Sequence, residues 1–195
     1  MDLDEEKKIW EEIIKIGTNT ALCYVIIHGP KELKMKAWKQ LIRRGVANYD
    51  LHFIIKYGSG AFKKRACEQL FKQWTKKTDL HYIIKYCSIV EYIVRACEEL
   101  LKKPTKKDLR CIIKFGPEKY RKKACEDLLR KGATRTDLCW IIEYGPEEFK
   151  ARAWEQLIKQ GIRDYDLRYI MKYGPEEYKI KAEQILLEER KGKKI

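Results

Sequence analysis

Glycine and proline are scarce, with 11 and 5 residues in 195, too few for a collagen-like or low-complexity chain. No apolar run approaches the roughly 18 residues that a membrane span requires. The opening Met1-Asp2-Leu3-Asp4-Glu5-Glu6 has neither the basic region nor the apolar stretch of a secretory signal. Together these absences predict a cytoplasmic protein that does not enter a membrane. The seven cysteines include no CxxC pair and are odd in number, so they read as reduced thiols in small core positions, with no metal site. There are only three histidines, and no Ser-His-Asp set, P-loop, HExxH or dinucleotide motif, from which we expect no catalytic residue, no cofactor and no enzymatic activity. What the chain has in excess is positive charge. Its 43 Lys and Arg against 29 Asp and Glu leave +14, a balance that favours acidic or phosphate-bearing partners.

An internal repeat organises the whole sequence. Leu22, Leu51, Leu80, Leu109, Leu138 and Leu167 are spaced by 29 residues without exception. Each opens a short unit such as Leu167-Arg168-Tyr169-Ile170-Met171-Lys172-Tyr173, with apolar residues at i, i+3 and i+4 on one helical face. A longer unit follows, with apolar residues four before, at, and one, four and five after a fixed alanine: Phe149, Ala153, Trp154, Leu157 and Ile158. Asp50, Asp79, Asp108, Asp137 and Asp166 are expected to N-cap the first helix. Gly29, Gly58, Gly116, Gly145 and Gly174 are expected to stop it in the left-handed conformation, with proline next, in four copies, at the first position of the second helix.

This pattern predicts an all-α chain of thirteen helices forming one domain over residues 1–195, a right-handed superhelical α-solenoid. Residues 3–16 would be a capping helix, 21–189 six helical hairpins, and 190–195 a frayed basic tail. Glu183 stands where other copies carry Trp38, Cys67, Cys97, Cys125 and Trp154, as suits a last helix with nothing beyond it. The copies resemble HEAT-like repeats: Pro175-Glu176-Glu177-Tyr178-Lys179-Ile180-Lys181-Ala182 is similar to their Pro-x-x-apolar-Arg-x-x-Ala second-helix opening. The resemblance implies a binding scaffold, with a few relatives that handle DNA. It also implies that Lys34, Lys63, Arg121, Lys150 and Lys179, at the arginine position, tie layers together.

Two further ladders are candidates for function. Lys36, Arg65, Arg95, Lys123, Arg152 and Lys181 precede the alanine, but Glu68, Glu98, Glu126 and Glu155 stand three residues on, and Lys72, Lys102, Arg130 and Lys159 four beyond those. We expect ion pairs within each helix there. On the first helix, His52 and Lys56, His81 and Lys85, Arg110 and Lys114, and Arg168 and Lys172 run beside aromatic residues that include Tyr57 and Tyr86. Basic groups interleaved with rings suit a protein partner or acidic peptide, and they equally suit DNA or RNA. The bland alternative is an aromatic core between layers with a wet basic exterior. Repeat 3 is irregular: it replaces Gly-Pro with Cys87-Ser88, adds a residue, and carries Ile89, Val90, Ile93 and Val94 near its second helix. These four suit either a partner contact or a locally repacked core.

Overall fold

The computed structural model describes residues 3–73 and 75–192. Among them are thirteen α-helices and no strand: α1 (Leu3–Ile16), α2 (Asn19–His28), α3 (Lys31–Arg43), α4 (Asn48–Tyr57), α5 (Gly60–Lys72), α6 (Lys77–Tyr86), α7 (Val90–Lys102), α8 (Lys106–Phe115), α9 (Glu118–Arg130), α10 (Arg135–Tyr144), α11 (Glu147–Lys159), α12 (Asp164–Tyr173) and α13 (Glu176–Gly192). The chain divides into two compact units, Met1–Ala96 and Cys97–Ile195, the division falling inside α7. In the first unit α2 packs on α3 and α4 on α5; α1 lies against α2 and α3, and α4 against both α2 and α6. In the second, α8 pairs with α9, α10 with α11 and α12 with α13, while α10 also meets α8 and α12, and α11 meets α9.

The cores are built from the repeating apolar positions. Leu51, Ile54 and Ile55 are fully buried in α4, as are Leu109, Ile112 and Ile113 in α8. The alanine of each second helix, Ala37, Ala66, Ala96, Ala124, Ala153 or Ala182, is wholly enclosed, because a larger side chain would force the paired helices apart. Six of the seven cysteines are buried free thiols. Glu183 is exposed, whereas Trp38, Cys67, Cys97 and Cys125 at the same repeat position are buried.

Two local expectations are corrected. The five aspartates are not N-caps. The N-caps are Ala47, Lys76, Thr105, Thr134 and Arg163, and each aspartate sits three residues inside, its carboxylate accepting the cap residue's backbone N–H at 2.8–3.1 Å. That is the inward half of a capping box, so the helix starts one turn earlier than a cap at aspartate implies. Nor are the five glycines left-handed. Gly145 has φ −67° and ψ 162°, ordinary extended backbone. Glycine is needed there because its N–H bonds to the Ile141 carbonyl at 2.7 Å, and an added Cβ would fall 2.5 Å from that same oxygen. The left-handed stops come instead after the second helix, at Gly45, Gly132 and Gly161, with φ of 75–85°. Toward the C-terminus α13 continues through Gly192, so the basic stretch begins inside a helix; Lys193, Lys194 and Ile195 lie outside the described residues.

Candidate functional site

The basic residues of the first helix separate into two groups. Those directly after the repeat leucine face the next hairpin's aspartate. His52 Nε2 lies 2.9 Å from Asp79 Oδ1, a hydrogen bond when that nitrogen carries the proton. Burial holds the imidazole below its ordinary range, partly opposed by the attraction of Asp79. Arg110 places Nε and Nη2 each 2.6 Å from Asp137 Oδ1, and Lys106 Nζ approaches Oδ2 at 3.5 Å. Burial alone would raise the Asp137 carboxyl, but bonds from Thr134 and Arg110 outweigh it and hold the group below the usual carboxylate range. Arg168 instead pairs along its own helix with Asp164 at 2.7 Å, and His81 is half-buried. His52 and Arg110 are therefore braces between hairpins, not a free cationic surface. The carboxylates that satisfy them were missed because they stand 27 residues away in sequence, beyond any search within one helix.

The second group, four residues later, rests on aromatic rings. Lys56 Nζ lies 4.8 Å from the Tyr57 ring centre and 5.0 Å from that of Tyr86; Lys85 lies 4.8 Å from Tyr86. Contact with Tyr57 raises the Lys56 ammonium, with further help from Tyr86 and Tyr82. In the second unit Lys114 sits 4.0 Å from the Tyr144 ring and donates to its hydroxyl at 2.7 Å, while Lys172 lies 4.9 Å from Tyr173. Rings four residues apart pair along each helix: Phe53 with Tyr57 at 5.0 Å, Tyr82 with Tyr86 at 4.5 Å, and Tyr169 with Tyr173 at 5.0 Å. Tyr57 is 51% exposed. Lys56, Lys114 and Lys172 have no carboxylate partner among the described residues. In the first unit, Lys56, Tyr57, Lys85 and Tyr86 thus form a wet face of cations on rings.

The second-helix ladders behave differently from each other. Lys34 Nζ donates to the Ile27 carbonyl at 2.8 Å, and Arg121 Nε to that of Ile113 at 2.9 Å, with an Arg121 Nη2 bond to the Tyr144 carbonyl of the next hairpin. These cations complete the free carbonyls at the end of a first helix, and Arg121 spans two layers. Around the residues before the alanine the expected pairing within the helix is partial: Lys181 pairs with Glu177, Lys102 with Glu99 and Arg130 with Asp127, whereas Lys36 reaches Glu11 of α1 at 3.6 Å. Glu68 accepts instead from the Tyr92 hydroxyl at 3.1 Å and Glu98 from that of Tyr120 at 2.6 Å, both inter-hairpin bonds, while Arg95 covers the Phe71 ring at 4.1 Å. Phenol donors one repeat away outcompete a flexible cation on the same helix, whose ordering is entropically costly.

In repeat 3, Val90 is 64% exposed, whereas Ile89, Ile93 and Val94 are half-covered. Cys87 takes the glycine position at the end of α6, with ψ reduced to 137°. Its Sγ lies 3.6 Å from that of Cys67. The thiol hydrogen bond from Cys67, against the effect of burial, and with the Ile89 N–H and Lys63, lowers Cys87 to about 7. That pairing is invisible in cysteine spacing alone.

No protein-family model matches the chain, and comparison with curated proteins and with solved structures finds no match. No helix among the described residues is long and apolar enough to cross a membrane.

Proposed function

We propose that the chain is a non-enzymatic scaffold of HEAT-like repeats that binds a protein partner through an acidic segment. The hairpins within each unit would stack with the right-handed superhelical twist and 29-residue period of the sequence, and the bridging Arg121 supports that reading. The carrying observation is Lys56 held over two tyrosine rings with no carboxylate partner among the described residues. Such an ammonium keeps its charge for an incoming anion, and the rings give a flat apolar floor for the stem of a glutamate. Lys114, over the Trp140 and Tyr144 rings, repeats the arrangement in the second unit, and Lys172 lies over the Tyr173 ring. The seven free thiols suit a reducing compartment such as the cytoplasm.

A second reading uses the same residues for DNA or RNA, and the paired, exposed rings of Phe53 and Tyr57 favour it, since bases stack on such platforms. The test titrates an oligoglutamate peptide and a single-stranded oligodeoxynucleotide of equal charge, following fluorescence anisotropy at several salt concentrations. Replacing Lys56, Lys85 and Lys114 by Glu should weaken peptide binding on the order of tenfold or more and flatten its salt dependence. The same change at Lys72, Lys102 and Lys159 should not. Equal loss in both variants would reduce the effect to net charge and remove the site; tighter binding of the oligonucleotide than of the peptide would put the second reading first.

A further inference from the structure

Cys67 and Cys87 bring two thiols together at a pair of positions that other copies fill with one sulfur or none. The equivalents are Trp38 and Gly58, Cys97 and Gly116, Cys125 and Gly145, and Trp154 and Gly174. Repeat 3 puts cysteine in the glycine place, and its sulfur comes to 3.6 Å from that of Cys67 on α5. Cys87 keeps the bond that glycine makes, its N–H donating to the Ile83 carbonyl at 2.9 Å, while its ψ turns to 137° against 162–171° at the five glycines. The irregular Cys87-Ser88 thus seats a second sulfur beside the first. Both cysteines belong to the first compact unit.

The two sulfurs are unequal. Cys67 is wholly buried within α5, whereas Cys87 keeps 7% of its surface exposed and lies in the connection between α6 and α7. The Cys67 thiol favours a thiolate at Cys87; burial opposes it, and the Ile89 N–H at 3.4 Å and Lys63 add to the favourable side. The same hydrogen bond, with burial, pushes Cys67 up. Burial also pushes Cys23, Cys97, Cys125 and Cys139 up to about 12. An accessible thiolate beside a second thiol is the arrangement in which one sulfur is oxidised and the other resolves it. Closing the gap from 3.6 Å to the roughly 2.05 Å of a disulfide falls on residues 87–89, which belong to neither helix.

We propose that Cys67 and Cys87 form an oxidative modification site that reacts with a hydroperoxide, hydrogen peroxide being the simplest, and becomes an intramolecular disulfide. The Cys87 thiolate attacks one peroxide oxygen, the O–O bond breaks, and the departing hydroxide takes a proton from solvent to leave as water. Cys87 is then a sulfenic acid. The Cys67 sulfur attacks it, the S–O bond breaks as the S–S bond forms, and the hydroxyl leaves as water with the Cys67 proton. The two sulfurs lose two electrons and the peroxide gains them. The site goes beyond the lysine-bearing face, because it takes an electrophile rather than an anion.

The test exposes the full reduced chain to a small excess of hydrogen peroxide, blocks remaining thiols with an alkylating agent in denaturant, and maps the products by mass spectrometry. Two of the seven thiols should disappear, with a mass lower by about 2 Da before alkylation and a dithiothreitol-sensitive peptide joining Cys67 to Cys87. The rate should climb with pH through about 7 and then level off, whereas an ordinary thiol keeps gaining thiolate through about 8.5. Cys87→Gly restores the residue of the other copies and should slow thiol loss on the order of tenfold or more. Cys67→Ala should leave a sulfenic acid on Cys87 that dimedone traps; if this variant fails to fold, Cys87→Gly and the pH profile decide. No thiol loss, a cross-link between other cysteines, an unchanged rate in Cys87→Gly, a rate still climbing at pH values above about 8.5, or Cys87 carried to sulfinic acid without a bond to Cys67 overturns the proposal.

Discussion

His52 shows how one side chain couples the hairpins to pH. Burial lowers its imidazole from the ordinary value of 6.5, with Asp79 pulling the other way. The unfolded chain therefore binds a proton at His52 more readily than the folded one, and acid favours unfolding. The contribution is fully present above the unfolded value and is lost as pH falls through about 6.5 toward the lowered folded value. His52→Gln should remove this component. Urea unfolding of the two proteins between pH 8 and pH 5 should show the native chain losing stability faster than the variant below about pH 6.5. Parallel curves would show that the imidazole stays exposed in solution.

At the element scale, the ends of the first helices rest on close backbone approach. Gly145→Ala would place a methyl group 2.5 Å from the Ile141 carbonyl oxygen and 3.0 Å from Ile141 Cγ2. It should cost about 1–3 kcal/mol by chemical denaturation, as overpacking does. Gly60 begins α5 and has no atom within 4 Å of a built Cβ. Gly60→Ala should stabilise by about 0.4–1 kcal/mol, because only the unfolded chain loses freedom; the opposite order would show that α10 can end in another way. Helix order and core were legible because apolar spacing, glycine and proline agree locally at almost every boundary. The aspartates could be placed in the first turn but not at their true position, since an aspartate directly before the repeat leucine can be a cap or a third residue equally. The function of the first-helix basic residues was only half legible. Lys56 and Tyr57 are neighbours in sequence, but the bond from Arg110 to Asp137 joins separate hairpins and has no local signature.

For the whole molecule, an excess of +14 means that the folded chain concentrates like charge, and much of it is exposed. Raising salt from about 0.01 M to 0.1 M shortens the screening length from about 30 Å to about 10 Å. The melting temperature should rise over that interval, measured by circular dichroism at 222 nm; a fall would show that the inter-hairpin pairs outweigh the repulsion. These pairs also carry a direction. In His52 to Asp79, Arg110 to Asp137 and Cys139 to Asp166, the donor is synthesised 27 residues before its acceptor. As a ribosome extends the chain, every such carboxylate emerges to meet a donor that already exists. Growth from the other end would leave each one waiting, so the order of translation is also the order in which these charges can be safely enclosed.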